Sequence, residues 1–398
     1  MHAFIDRKAL AGAAARAASM ANARTTNPNL GHVHIEAGTD HVTMTATDLA
    51  QSIRLRIPAR VEAGGICTVD AARLSSVVSA MADGSVSLKL GRKGLSVACG
   101  RARFALPATD GADYPPLPGG PGDACVIVDV DGEALRTVIE DTIAAISTDE
   151  SRFDLSGALL ELESEDGTAY HEGGAVEVLR LVATDGSRLS MSECSASVPV
   201  GLGDFDDSGA MAEHMGRTGA MVGRAGLQQL ARSLAPGSWR LTIAEKALRA
   251  QNAAGDVVIV MRMVQGQFPP YRQVLPSEKQ RKARVKVAKA ELAAAIKRAG
   301  IMAQDRNHTA ILDMAADSEA VHVTAQHADT GDASDVVPCS TEGQGIRLGL
   351  SLRLLSDAVG RVQGEHVIID TMGALDPVIV RDQARQSASW VVMPMRID

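Results

Sequence analysis

Paired carboxylates are the first residues in this sequence that could do chemistry, because general acid–base work needs titratable groups held close together. Asp149/Glu150 and Asp206/Asp207 are such pairs. Adjacent acids on a loop read as solvated charge, so neither pair is assigned a catalytic role. His32 and His34 alternate within "GHVHIEAG" and share one strand face, but the sequence offers no further ligands at metal-binding spacing. The cysteines, Cys67, Cys99, Cys125, Cys194 and Cys339, are odd in number and contain no C-x-x-C pair. Free thiols in a reducing cytoplasm are the expectation. "ATDGADY" and "ATDGSRL" look like phosphate loops, yet neither opens a helix after a buried parallel strand. There is no P-loop and no G-x-S-x-G. The expectation is a chain without catalytic residues, metal or cofactor.

Basic residues are a different matter. The formal net charge of −8 argues mildly against nucleic acid, but it says nothing about distribution. "KQRKARVKVAK" (279–289) carries Lys279, Arg281, Lys282, Arg284, Lys286 and Lys289, and Lys297 and Arg298 follow. The acids gather instead in "ESEDG", "GDFDDSG" and "DTGDASD". That separation allows an acidic chain to present a cationic face to phosphates.

The elements that must carry these residues repeat three times. "DRKALAGAAARAASM", "DGEALRTVIEDTIAAIS" and "AKAELAAAIKRAGIMA" each begin with a charged turn and a leucine (Leu10, Leu135, Leu292). Apolar or small residues follow at i+3, i+4 and i+7, which is one helical face. A second helix recurs around Leu74, Leu227 and Leu355 with the same spacing. Gly84, Gly237 and Gly364 come next and are expected to act as helix stops or tight turns. The stretches between alternate as strands, among them "HVTMTAT", "LSVACGRARFAL", "VLRLVATD", "VVIVMRMV", "AVHVTAQ" and "WVVMPMRI".

The fold class is therefore α+β: three repeated domains, each of two helices backed by antiparallel sheets. "YPPLPGGPGDAC" and "QFPPYRQVLPSEKQ" read as stiff linkers. They set domain boundaries at 1–122, 123–276 and 277–398, with surface insertions near 164–176 and 199–222. No apolar run approaches about 18 residues, so no membrane span is expected. "MHAFIDRKAL" lacks a long apolar core, so no signal peptide is expected.

Six stretches resemble one family in order and spacing: "TATDLAQSIR" (45–54), "GRARFALPATDGADYPPLP" (100–118), "ISTDESRFDLSGALLELE" (146–163), "LRLVATDGSRLSMSE" (179–193), "GQFPPYRQVLP" (266–276) and "SASWVVMPMRI" (387–397). They resemble the bacterial DNA polymerase III beta subunit, the replicative sliding clamp. The resemblance implies a head-to-tail homodimeric ring of six similar domains, with helices lining the hole. It implies a non-catalytic processivity subunit in the cytoplasm, at the nucleoid. Its partners would be double-stranded DNA, the clamp loader, the replicative polymerase, and repair polymerases, ligase and mismatch-repair proteins that carry clamp-binding motifs. For DNA contact it marks Arg24, Arg73, Phe153, Arg224, Lys282, Arg284, Lys286, Lys289 and Lys297. For the ring seam it marks Arg101, Arg103, Phe104 and Leu106 against Ile301, Met302, Asp332 and Asp335.

The same resemblance implies a partner-peptide pocket between the second and third domains. Its residues are Arg152, Leu155, Thr184, Gly186, Ser187, Arg188, Leu189, Pro269, Val274, Leu354, Leu375, Pro377, Val391, Met393, Pro394, Met395 and Arg396. Arg188 and Arg396 are expected to meet the peptide's polar groups. The family's usual "ATDGHRL" is "ATDGSRL" here, and its "RPIL"-like stretch is "RFDL", which sets Asp154 beside Leu155. A specialised clamp with an altered pocket is the alternative reading. An enzyme of three α+β repeats with a small-molecule site in an interdomain cleft is the rival from another class.

Overall fold

The structure is a computed structural model that describes residues 1–21, 27–115, 117, 125–149, 151–163, 178–197, 220–276, 278–303, 308–316, 318–327 and 331–397. Arg24, Glu150, Asp206, Asp207 and both acidic insertions up to residue 219 lie outside them. Residues 220–222 do not belong to an insertion: Ala220–Gly223 is a strand, and Val222 bridges to Met263.

The helical spacing in the sequence becomes six α-helices among the described residues: α1 (Arg7–Met20), α2 (Ala71–Ser79), α3 (Gly132–Thr142), α4 (Arg224–Ser233), α5 (Lys289–Ala299) and α6 (Leu352–Arg361). Leu10, Leu135, Leu292, Leu74, Leu227 and Leu355 are all buried. Asp6 caps α1 by accepting from Ala9 N at 3.0 Å, and Asp70 caps α2 through Arg73 N at 2.7 Å. Asp131 accepts from Glu133 N and Ala134 N, both at 3.0 Å, at the start of α3. Such caps satisfy donors that have no partner inside the helix.

The three glycines do not stop their helices. α2, α4 and α6 have ended at Ser79, Ser233 and Arg361 before Gly84, Gly237 and Gly364 are reached. Gly84 and Gly237 have φ of 146° and 108°, a conformation that suits a residue without Cβ. Their carbonyls accept from Arg7 N (2.9 Å) and Gly132 N (2.8 Å), so each turn caps the first helix of its repeat. Gly364 is needed for a different reason. A Cβ there would lie 2.6 Å from Asp382 Oδ1.

Asp382 is itself buried and accepts from Gln363 N (2.6 Å), Gly364 N (3.1 Å) and Ala384 N (2.8 Å). Burial pushes its carboxyl pKa up, but these three backbone donors and nearby Arg385 outweigh burial and leave it below the usual range. A depressed folded pKa gives stability that is present above about pH 3.9 and lost as pH falls through the folded value. The urea midpoint of Asp382→Asn should therefore fall short of wild type at pH 7, and the gap should close below about pH 4. An equal gap at both pH values would refute this.

The contacts divide the chain into two compact units. The first is Met1–Arg136 with Leu162–Val178 and Ser195–Val264. It holds a five-stranded antiparallel sheet in the order Arg60–Ala63, His2–Asp6, Ser85–Gly91, Gly94–Cys99, Ala102–Leu106. A longer antiparallel run passes from Gly65–Asp70 through His32–Ala37, His41–Thr47, Gln51–Pro58, Val257–Arg262, Ala247–Asn252 and Ser238–Ile243 to Val126–Asp131. α1 packs with α2, and Ser19 Oγ of α1 donates to Gln229 Oε1 of α4 at 2.9 Å.

The second unit is Thr137–Glu161, Leu179–Cys194 and Gln265–Asp398. Its first sheet runs from Arg188–Ser192 through Ala388–Val392, Val378–Asp382 and His366–Thr371 to Ala283–Ala288. The second runs Ile346–Ser351, Thr309–Met314, Ala320–His327, Gly331–Pro338. α5 packs with α6 over a core that includes Leu292, Ile296, Leu355, Val359 and Trp390. No helix among the described residues is long and apolar enough to cross a membrane.

One turn occurs twice, almost bond for bond. In the second unit Thr184 Oγ1 donates to Arg188 O (2.6 Å) and accepts from Gly186 N (3.1 Å). Asp185 Oδ1 accepts from Ser187 N (2.9 Å) and Arg188 N (3.1 Å). In the first unit Thr47 Oγ1 donates to Gln51 O (2.7 Å) and accepts from Leu49 N (3.0 Å), and Asp48 Oδ1 accepts from Ala50 N (2.9 Å) and Gln51 N (2.8 Å). Gly186 and Leu49 occupy the same place, at φ 91° and 77°.

Candidate functional site

Next to the Gly186 turn lies a cavity of about 710 Å³. Its walls come from Ser151–Leu155, from Thr184, Gly186, Arg188 and Leu189, from the linker residues Pro269, Pro270, Tyr271, Gln273 and Val274, and from Val391 and Met393. All of these residues belong to the second unit. Leu155, Leu189, Tyr271 and Val391 form a buried floor, while Phe153 and Val274 are 69% and 45% exposed at the mouth.

Each wall is fixed for a local reason. Arg152 donates to Asp185 O at 2.6 Å, tying the first stretch to the Gly186 turn. A Cβ on Gly186 would come within 2.9 Å of the Arg152 guanidinium, so glycine keeps that approach open. Tyr271 fastens the linker: its hydroxyl donates to Glu161 Oε2 at 2.6 Å, and its ring meets Phe268 edge-on at 6.2 Å. Burial first, and then the Glu161 carboxylate, push the Tyr271 phenol well above its ordinary pKa, so it stays a neutral donor. Glu161 also pairs with Arg272 at 3.2 Å. The prolines are thereby held against the cavity, where they lose little entropy on binding a ligand.

The C-terminal wall departs from the expected strand through "WVVMPMRI". The strand is Ala388–Val392 and stops there, because Pro394 has no N–H for a ladder. Met393 N still donates to Ser187 O at 2.9 Å, and Met395 N donates to Gly349 O at 2.8 Å. Trp390 is buried, and its indole donates to Asp141 O at 3.1 Å. The tail is thus a strand, then a wall residue, then a bridge to another sheet.

Sequence patterns described as the DNA polymerase III beta subunit match at both ends of the chain: its N-terminal domain over residues 1–118 and its C-terminal domain over residues 272–396. The chain belongs to the DNA polymerase III beta subunit family. It is 27% identical to the beta sliding clamp of Pseudomonas putida over 400 residues, covering all of both chains. It is 26% identical to that of Escherichia coli K12, covering 94% of each. A crystal structure of a sliding clamp from Pseudomonas aeruginosa bound to griselimycin matches with a TM-score of 0.86 at 25% identity and full coverage of both chains.

Of the residues the clamp resemblance marked for the pocket, the cavity brings together Arg152, Leu155, Thr184, Gly186, Arg188, Leu189, Pro269, Val274, Val391 and Met393. Leu354 lines a small adjoining cleft with Arg188, Leu189 and Val391. Ser187 contributes its carbonyl to the tail. Leu375, Pro377, Pro394, Met395 and Arg396 are not among the lining residues. Ser151, Pro270, Tyr271 and Gln273 were not singled out from the sequence. The aromatic inside "FPPYRQ" was the available signal for Tyr271.

Three charged or aromatic assignments change. Arg188 is already committed, to Asp185 (3.0 Å), Asp357 (2.5 Å) and Ala144 O (2.5 Å), so it braces the turn rather than waiting for a peptide. Arg284 grips Asp370 through two bonds of 2.6 and 2.8 Å, and Asp370 is nearly inaccessible. That pair removes Arg284 from a phosphate-facing set. Phe153 lines the cavity, between Arg152 and Asp154, and is 69% exposed.

The remaining cations are spread over several elements. Lys282 precedes the strand Ala283–Ala288, and Lys286 lies on it. Lys289 opens α5 and donates to Val362 O at 2.5 Å. Arg73 on α2 and Lys297 on α5 are exposed, and Arg224 begins α4.

At the seam positions, Ala102–Leu106 is the edge strand of its sheet. Phe104 stands opposite Val97 on the core side yet is 40% exposed, whereas Leu106 is buried. Arg101 and Arg103 are both exposed. Ile301 is 61% exposed and Met302 half-buried. Asp332 and Asp335 lie on the strand Gly331–Gly343, whose residues 331–338 pair only with Ala320–His327 while residues 339–343 pair with the strand Ala283–Ala288. Asp335 already pairs with Arg298 of its own chain at 2.6 Å, which holds its carboxyl below the usual range.

Proposed function

We propose that two copies of this chain close head to tail around duplex DNA as a sliding clamp. The ring carries no catalytic group, metal or cofactor. It tethers the replicative polymerase, which raises that enzyme's effective concentration at the primer end. Three repeats at 1–122, 123–276 and 277–398 supply its domains. A clamp loader opens it, and repair polymerases, ligase and mismatch-repair proteins share its pocket through short peptides. We place it in the cytoplasm, on the nucleoid.

The observation that carries this reading is the cavity beside Gly186, built in a chain that matches beta sliding clamps over its whole length. Arg73, Arg224, Lys282, Lys286, Lys289 and Lys297 are the DNA-facing set within the reading, with Arg24 as a further member outside the described residues. Contacts of this kind are weak and salt-sensitive, so retention comes from topology. Primer extension with a cognate loader, polymerase and ATP is the test: processivity should rise only when the chain is added, and no gain would reject the reading.

The seam has its own test. Sedimentation should show a dimer of 41.6 kDa chains, and Phe104→Ala with Ile301→Ala should give monomers that remain folded by circular dichroism. Apolar centres of interfaces carry most of the binding energy. A double variant that stays dimeric would move the seam elsewhere.

A further inference from the structure

The cavity wall carries one carboxylate, Asp154, whose charge has no ion-pair partner among the described residues. Asp154 lines the cavity beside Phe153 and Leu155 and is itself exposed. Its Oδ1 accepts a long hydrogen bond of 3.3 Å from Gln267 N and overhangs Gly266, where an added Cβ would lie 2.9 Å away. That places the charge at the linker end of the cavity. Among the described residues no cation lies within 4 Å of it.

The cationic wall residues are bonded elsewhere. Arg188 is held by Asp185 and Asp357, and Arg152 points away to Asp185 O and Gly186. The cavity therefore has an apolar floor and an unpaired negative charge at one end. A ligand carrying an acid at that end would meet repulsion; one carrying a cation would gain attraction.

We propose that Asp154 is a specificity-determining residue, and that the occupant of this pocket is a peptide with an apolar anchor and a lysine or arginine next to it at the Asp154 end. The inference rests on the partner-peptide reading of the cavity and names the chemistry of the peptide. The apolar anchor fills the space between Leu155, Leu189 and Val391, and the neighbouring cation reaches Asp154 over the Gly266–Gln267 backbone.

The test uses the full chain and three fluorescent peptides that share one apolar anchor and carry lysine, glutamine or glutamate next to it. Anisotropy should rank them lysine, glutamine, glutamate. An exposed ion pair contributes modestly, so each step should be about two- to fivefold. Raising the salt should compress the series. In Asp154→Asn, whose side-chain oxygen can still accept from Gln267 N, the three peptides should bind alike. Equal binding of all three to the wild type, or a lysine preference that survives in Asp154→Asn, overturns the inference and leaves the pocket reading intact. Binding of none of them overturns both.

Discussion

Replacing Gly186 with leucine should sharply weaken peptide binding while leaving the chain folded. Leu49 occupies the same place in the first unit's copy of the turn, at φ 77°, so the backbone tolerates leucine there. The strain of a left-handed residue costs about 1–2 kcal/mol. In the second unit the new side chain would arrive within 2.9 Å of the Arg152 guanidinium. That group is the far end of a flexible chain and can move, but only by leaving Asp185 O. The leucine and the displaced arginine then occupy the cavity mouth. We expect the affinity for any anchor peptide to fall by about a hundredfold, or about 2.8 kcal/mol. Leu49→Gly, the reciprocal change, should leave peptide binding alone. Calorimetric titration of both variants checks this, and a Gly186→Leu chain that binds within threefold of wild type would remove the pocket from its role.

The second large effect is expected at Arg385. Its guanidinium pairs with Asp141 Oδ2 at 2.6 Å and lies 5.9 Å from the Trp390 ring centroid. Asp141 is only 3% exposed and also accepts from Ser192 Oγ at 2.8 Å. Removing one partner of a buried pair strands the other's charge, so Arg385→Ala should cost about 3–5 kcal/mol. Asp141→Asn should cost less, and the double variant should recover part of the loss. The chain has two tryptophans, Trp239 in the first unit and Trp390 in the second. In a Trp239→Phe background, urea unfolding followed by fluorescence reports the second unit alone. A loss below about 1 kcal/mol would refute a stabilising role for this pair. Because Val391 lines the cavity next to Trp390, peptide affinity should weaken together with stability.

Much of this is legible in the amino-acid sequence. A leucine with small residues at helical spacing has one buried face, and all six helices follow from it. The pocket's short-range parts were legible too, because "TDG" and "FPPY" specify turns by residue type. Long-range charge was not. Nothing around Arg188 announces Asp357, 169 positions away, and nothing around Arg284 announces Asp370. Sequence shows that a cation exists; only the sheet register shows whether it is already neutralised. Of the glycines after α2, α4 and α6, Gly84 and Gly237 make the expected turns, whereas the role of Gly364 depends on a partner outside its own turn. Glycine marks an unusual backbone or a close approach, and Gly364 serves the second through Asp382, 18 residues on.

The two one-sided edges carry a consequence for assembly order. Ala102–Leu106 is an exposed edge that follows Arg101 and bears Arg103, and residues 331–338 of the strand Gly331–Gly343, paired on one side, bear Asp332 and Asp335. An edge strand will add to any strand offered to it unless charge discourages the match. Arginine edge against arginine edge is repelled, while on the acid edge Asp335 is already paired with Arg298 and Asp332 carries the contrast. At the proposed seam the mixed encounter is the favoured one, which would sort copies of the chain by polarity before any apolar contact forms.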